Sequence, residues 1–209
     1  MSETTPRGDR FWTVALVVMV AISGGLLAYK ILRPRTSEQI EEVIAEQRRR
    51  EVPPFELTAH TGKPFKRDDL LGRPWVATFL FTHCAGPCPR MATEIERLRG
   101  ELKSTPQIQF VSFSVDPKRD TPEVLSTYAS RYGGDDRWIL LTGNRDVIFD
   151  LSRNRFHAAA DDTDSSAIDH STRFFLVDSA GILRGHYSLE DPESLAQLVK
   201  DARALVASK

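Results

Sequence analysis

The sequence predicts an α/β domain tethered by one N-terminal membrane helix, and three observations predict it. Residues 11–29 are 19 consecutive uncharged, mostly apolar positions. Two near-continuous apolar runs, WVATFLFT (75–82) and IQFVSFSV (108–115), frame a stretch in which Met91, Ile95, Leu98 and Leu102 recur at helical spacing. Two further strand-like runs meet around Ser179-Ala180-Gly181, and a final amphipathic helix follows them.

At ~1.5 Å rise per residue the first run makes about 28 Å of helix, close to the ~30 Å thickness of bilayer hydrocarbon. Its exit, LLAYKILRPR, offers no small-x-small cleavage site, so it reads as an uncleaved anchor. Arg7 and Arg10 precede it and Lys30, Arg33 and Arg35 follow it, so the positive-inside rule gives no orientation. The expected division is a leader over residues 1–10, a membrane anchor over 11–32, a charged stalk over 33–51 and a globular domain over 52–209. Pro53-Pro54 ends the stalk. The ten-residue leader has no transit-peptide character, which points to a bacterial inner membrane.

A chain of 209 residues holds one ordinary core behind such an anchor. Residues 51–209 carry 20 Lys/Arg against 23 Asp/Glu with no basic stripe, which excludes an electrostatic nucleic-acid binder.

Along the domain, FELTAHTGKPF reads as a hairpin around a Thr-Gly turn. The run 75–82 is apolar throughout, as expected of a strand buried on both faces, and with the helix after it and the run 108–115 it forms a parallel crossover. Thr121-Pro122-Glu123 starts a helix with its cap and first-turn proline, Leu125, Tyr128 and Tyr132 give it a buried stripe, and Gly133-Gly134 stop it. WILLTG (138–143) is a short strand and residues 144–156 form a further helix. RFFLVD (173–178) opens the closing hairpin, and Asp191-Pro192-Glu193 starts the last helix. Crossover units first and an antiparallel hairpin plus helix last describe a thioredoxin-like arrangement with a helical insertion, one of several α/β folds this pattern allows.

Both cysteines lie in one segment, FTHCAGPCP, at positions 84 and 88. If a helix starts there they share a face, and its N-terminus lowers thiol pKa values, which favours metal-binding thiolates. Buried structural cysteines and a dithiol redox pair are the other readings, although dithiol oxidoreductases usually separate their cysteines by two residues. Among five histidines, His170 stands just before the strand 173–178. If that strand runs antiparallel to 75–82, His170 is carried to the cysteines across 82 residues of sequence. Two thiolates and an imidazole suit copper in either oxidation state, and zinc as well. His83 in a strand points away from Cys84. His60 and His186 sit in hairpin settings and read as solvated, and His157 reads as a helix C-terminal residue.

Three blocks, FTHCAGPCP, SVDPKRDTP (114–122) and DHSTRFFLVDSAG (169–181), behind an N-terminal anchor, resemble the Sco/SenC copper proteins of cytochrome oxidase assembly. The resemblance covers roughly residues 52–207. It implies one copper ion held by Cys84, Cys88 and His170, and a domain facing the periplasm or the mitochondrial intermembrane space. It implies further that copper passes to the binuclear copper centre of cytochrome c oxidase subunit II, or that Cys84 and Cys88 act as a redox pair on that centre's cysteines. Other copper chaperones or thiol reductants are further partners. Asp116 matches the aspartate of the SVDP block, as a supporting residue or a strand-end cap. Ala85 and Pro87 depart from the usual loop, in which proline follows the first cysteine directly, while the ligand spacing is kept. No proline lies between Pro122 and Pro192, where a thioredoxin-type reductase places one opposite its cysteines, which argues for a copper metallochaperone over an enzyme.

Overall fold

The computed structural model describes residues 8–32, 46, 50–158 and 172–207. The chain divides into two compact units, Met1–Ala45 and Glu46–Lys209. The first contains helix α1, Gly8–Leu32, 25 residues long, with large exposed apolar side chains that include Trp12, Leu16, Val17, Met19 and Ile22. Among the described residues no helix is long and apolar enough to cross a membrane.

The second unit is built on a seven-stranded mixed sheet. Its strands are β1 (Glu56–Ala59), β2 (Pro64–Lys66), β3 (Trp75–Leu80), β4 (Gln109–Ser114), β5 (Trp138–Thr142), β6 (Arg173–Val177) and β7 (Leu183–Ser188), in the order β2-β1-β5-β4-β3-β6-β7. The hairpin β1–β2 turns through Gly62 at φ +80°, a conformation glycine adopts at no steric cost. Strands β3, β4 and β5 are parallel, and β6 pairs antiparallel with both β3 and β7. The expected crossovers and closing hairpin are therefore present. The chain enters the sheet at Glu51, which bridges to Ile182.

Beyond Glu51 the α-helices among the described residues are α2 (Pro87–Glu101), α3 (Pro122–Arg131), α4 (Arg145–Asp150) and α5 (Pro192–Ala207), with a 3-10 turn over Arg67–Leu70. Thr121 caps α3 by accepting the Val124 N–H, and Gly133, at φ +60°, ends it in the left-handed conformation. The helix expected over 144–156 is shorter. Asn144 caps α4 as the sequence suggests, but after Asp150 the helix widens into a π turn over Leu151–Arg155. That widening coincides with the delivery of Phe156 into the core, where its ring meets Trp75, Phe79, Phe113 and Phe175 at 5.3–6.3 Å. Each such pair is worth about 0.5–1.5 kcal/mol beyond area burial, enough to offset irregular helix geometry.

All six residues of β3 are buried, as a strand covered on both faces requires. Trp75 and Phe79 join the aromatic cluster on one face. On the other, Thr78 and Ser112 share a hydrogen bond of 2.7 Å, and Trp138 Nε1 donates to Ser112 Oγ at 2.9 Å. Ser112 is thus partnered, and Ser114 donates to Asp120, which offsets the cost of burying the two serines of the β4 run.

Candidate metal and dithiol site

Strand β3 ends at Leu80, two residues earlier than the apolar run suggests, and the backbone turns through residues 81–86 before α2 begins at Pro87. Proline suits this first helical position because its missing N–H has no partner there in any case. Cys88 therefore lies in the first helical turn while Cys84 lies in the loop before it. This corrects the reading of two cysteines on one helical face. They meet because the loop folds over the helix start, and Gly86 lies at its turn, where an added Cβ would come within 3.9 Å of Cys84 Sγ. Both are free thiols, buried to 7% and 2% exposure, and hydrogen-bonded to one another.

The expectation of lowered thiol pKa values is also corrected. Burial, reinforced by the hydrogen bond with Cys84, pushes the Cys88 thiol up to about 12, against the opposing effect of a backbone hydrogen bond from Phe81. Desolvation disfavours the thiolate more than one helix terminus favours it.

Two residues outside the expected set hold this junction. Tyr128, on α3, donates its hydroxyl to the Cys88 carbonyl at 3.2 Å, and burial raises its own pKa. Asp120 is fully buried and accepts from Ser114 Oγ at 2.6 Å, from the Thr82 N–H at 3.1 Å and from Thr82 Oγ1 at 2.5 Å. It ties the loop after β4 to the loop after β3, immediately before Cys84. The sequence signal for it was SVDPKRDTP, which contains Asp120, but Asp120 reads there as an ordinary acidic residue ahead of a helix start. Asp116 pairs with Arg119 and its N–H donates to Ser114 Oγ at 3.1 Å, the behaviour of a strand-end turn.

The histidines separate clearly. His170 lies outside the described residues, and among those described no three His, Cys, Asp or Glu side chains are grouped to hold a metal. His83 is in the turn and not in the strand, so the alternation argument for its direction does not apply. It is exposed and contacts Thr82 Oγ1 through Nδ1 at 3.1 Å. His60, expected to be solvated, is half-buried. Its Nδ1 accepts the Leu140 N–H at 3.2 Å, and burial lowers its pKa. The hairpin turn folds back onto β5, which sequence periodicity does not reveal. His157 ends its helix at φ +48° and His186 is exposed on β7, both as expected.

A mixed sheet flanked by helices, with two thiols where a central parallel strand runs into a helix, defines a thioredoxin-like domain carrying a dithiol that suits soft metals. The SCO1/SenC family model matches residues 44–207, and the chain belongs to that family. A SCO2-like protein of Rickettsia felis is 31% identical over 199 residues, 90% of this chain and 95% of that one. The solved structure of BsSco, described as having a disulfide switch and as a member of the Sco family of cytochrome c oxidase assembly proteins, is 29% identical at TM-score 0.67, covering 76% of this chain and 95% of that one. The copper-bound ScoI of Bradyrhizobium japonicum is 28% identical at TM-score 0.57, covering 73% and 99%.

Proposed function

We propose that this chain is a membrane-anchored copper metallochaperone that delivers the ion to the binuclear copper centre of cytochrome c oxidase subunit II. One copper ion is held by Cys84, Cys88 and His170, with the domain in the periplasm and residues 11–32 in the inner membrane. The observation that carries this reading is the reduced, buried pair Cys84 and Cys88 in mutual contact at the β3–α2 junction. The topology supports the third ligand. The β3–β6 register pairs Trp75 with Val177 and Ala77 with Phe175, so the N-terminal end of β6 lies beside the C-terminal end of β3 from which the cysteine loop departs. His170 precedes β6 by three residues. The buried Cys88 is a thiol before loading, so the arriving ion must displace its proton, which makes loading pH-dependent.

Carriage by such a site is ligand exchange. The soft sulfurs hold the ion, and the partner's Cys and His side chains replace them one at a time. The test is His170→Ala. Strongly weakened Cu(II) binding in a folded chain is expected, and unchanged stoichiometry and affinity refute the assignment.

The contact between the two thiols also supports a second reading, a tethered thiol-disulfide reductase acting on the cysteines of that copper centre or reporting redox state. It predicts a readily exchanged Cys84–Cys88 disulfide and activity that persists in His170→Ala. Reduction potential and copper affinity, measured together on the purified chain, separate the two.

A further inference from the structure

Beside the cysteine loop lies an open cleft of about 460 Å³, lined by His83, Glu123, Val124, Thr127, Tyr128 and Arg131. Two of its lining residues adjoin the cysteines. Tyr128 reaches from the cleft to the Cys88 carbonyl, and His83 is the residue before Cys84. Glu123 and Arg131 oppose each other in charge, so electrostatic attraction alone makes it no sink for a cation. The chemistry it offers is that of the His83 ring.

The hydrogen bonds around that ring fix its tautomer. The hydrogen bonds to the buried Asp120 carboxylate come from donors, Ser114 Oγ, the Thr82 N–H and Thr82 Oγ1, and His83 Nδ1 itself stands 4.0 Å from Asp120 Oδ1. A threonine hydroxyl has one proton, and Thr82 gives it to Asp120. Its oxygen is then the acceptor in the 3.1 Å contact with His83, so Nδ1 is the donor and carries the ring proton. In the neutral imidazole this leaves the Nε2 lone pair free on a side chain that is 56% exposed. A histidine whose one nitrogen is tied through a hydroxyl to a buried carboxylate is oriented as metal-ligating histidines are, with the other nitrogen presented outward.

We propose that His83 Nε2 is an exchange ligand, the first protein atom to take the ion from an incoming copper donor and the last to release it. The proposal rests on the copper-carrier reading and adds an entry point to it. On loading, a bond from copper to Nε2 forms as one bond to the donor's ligand breaks. A bond to Cys84 Sγ follows as the donor's remaining bond breaks, the thiol proton passing to water. The bonds to Cys88 and His170 then form, the Cys88 proton passing to water, and the bond to Nε2 breaks, the ring having stayed a neutral donor throughout. The ion keeps its oxidation state throughout. Adjacent α-carbons are about 3.8 Å apart, so the shift from residue 83 to residue 84 is a short one. Asp120 and Thr82 act as positioning residues.

The test uses the full chain in detergent, reduced, with Cu(I) supplied as its bicinchoninate complex and uptake followed by stopped-flow loss of the chelate's absorbance. Release is followed with excess chelator. In His83→Ala both rates are expected to fall by roughly tenfold or more while their ratio stays constant, because an intermediate ligand lowers the barrier in both directions. Near-UV circular dichroism checks the fold of this surface variant. The second readout is ¹⁵N NMR of the copper-free chain. Wild type is expected to show His83 with Nε2 unprotonated, and Asp120→Asn to shift it toward a tautomer mixture and slow exchange to an intermediate rate. Unchanged rates in His83→Ala, or an Nε2-protonated ring in wild type, overturn the proposal. So does a loss of affinity with an unchanged uptake rate, which makes His83 a resident ligand. Wild-type chain that takes up no copper overturns the carrier reading and this one with it. Wild type that binds copper at rates indifferent to His83 overturns this one alone.

Discussion

Two regions of the domain place a histidine beside the sheet, and they use it in opposite ways. At the β1–β2 hairpin, His60 Nδ1 accepts the Leu140 N–H, so the ring proton is on Nε2 and the half-buried ring serves the fold. At the cysteine loop, His83 Nδ1 faces a hydroxyl whose proton is spent on Asp120, so the ring donates and its other nitrogen stays open. The residue type is the same. The difference teaches that an imidazole's availability is set by what its first nitrogen meets, a backbone donor in one region and a carboxylate-backed acceptor in the other.

The largest effect belongs to the cysteine end. Cys88→Ser removes a proposed copper ligand and a buried sulfur together, and equilibrium dialysis should find copper binding lost, whereas His60→Gln should retain full stoichiometry. If Cys88→Ser still holds one ion, the thiols are not the site and the contrast between the regions collapses. Asp120→Asn comes next. It keeps the shape but turns an amide toward groups that all donate. Bonds to charged acceptors contribute about 1.5–3 kcal/mol each, so a loss of about 2 kcal/mol is expected. That corresponds to about 4–8 °C in Tm for a domain of this size. A Tm within about 1 °C of wild type, on the same scale, argues that Asp120 does not brace the loop.

Tyr128→Phe deletes only the bond to the Cys88 carbonyl. It should cost about 1 kcal/mol, or about 2–4 °C, and should loosen the first turn of α2 enough for amide exchange at Cys88 to quicken. Unchanged exchange there would assign Tyr128 to packing alone. The smallest effect is at the hairpin. His60 has a folded pKa below its ordinary value of 6.5, so the unfolded chain takes up its proton first as the pH falls. Its contribution is present above that value and is lost as the pH falls through the folded pKa. The stability of wild type should therefore decline more steeply than that of His60→Gln as the pH falls below neutral, measured by denaturant melts. Parallel curves would mean the ring is not held neutral by its seat.

Much of this architecture is legible in the residues. The Thr121-Pro122 cap, the Thr61-Gly62 turn, the apolar run of β3 and the stripe Met91, Ile95, Leu98 each depend on interactions within a few positions, and each is found where the pattern sets it, save that β3 stops two residues short. The cysteine pair and its place at a strand-to-helix junction were legible for the same reason. Pro87 suits a first helical turn and α2 does start there, but that Cys84 lies ahead of the helix and not on it was not legible, because the turn through Gly86 is backbone geometry that a cysteine spacing does not encode. The π turn after Asp150 was not legible either, since it accompanies a phenylalanine finding rings from three distant strands.

What the sequence by itself determined was the order of elements, their caps and the two sulfurs, all products of short-range periodicity and backbone stereochemistry. The tertiary structure alone decided that Cys88 is a high-pKa thiol, that Asp120 is a buried hub and not a surface acid, and that His60 is seated while His83 is open. Those properties come from desolvation and from donors supplied by segments tens of residues away, and neither exists until the sheet has assembled.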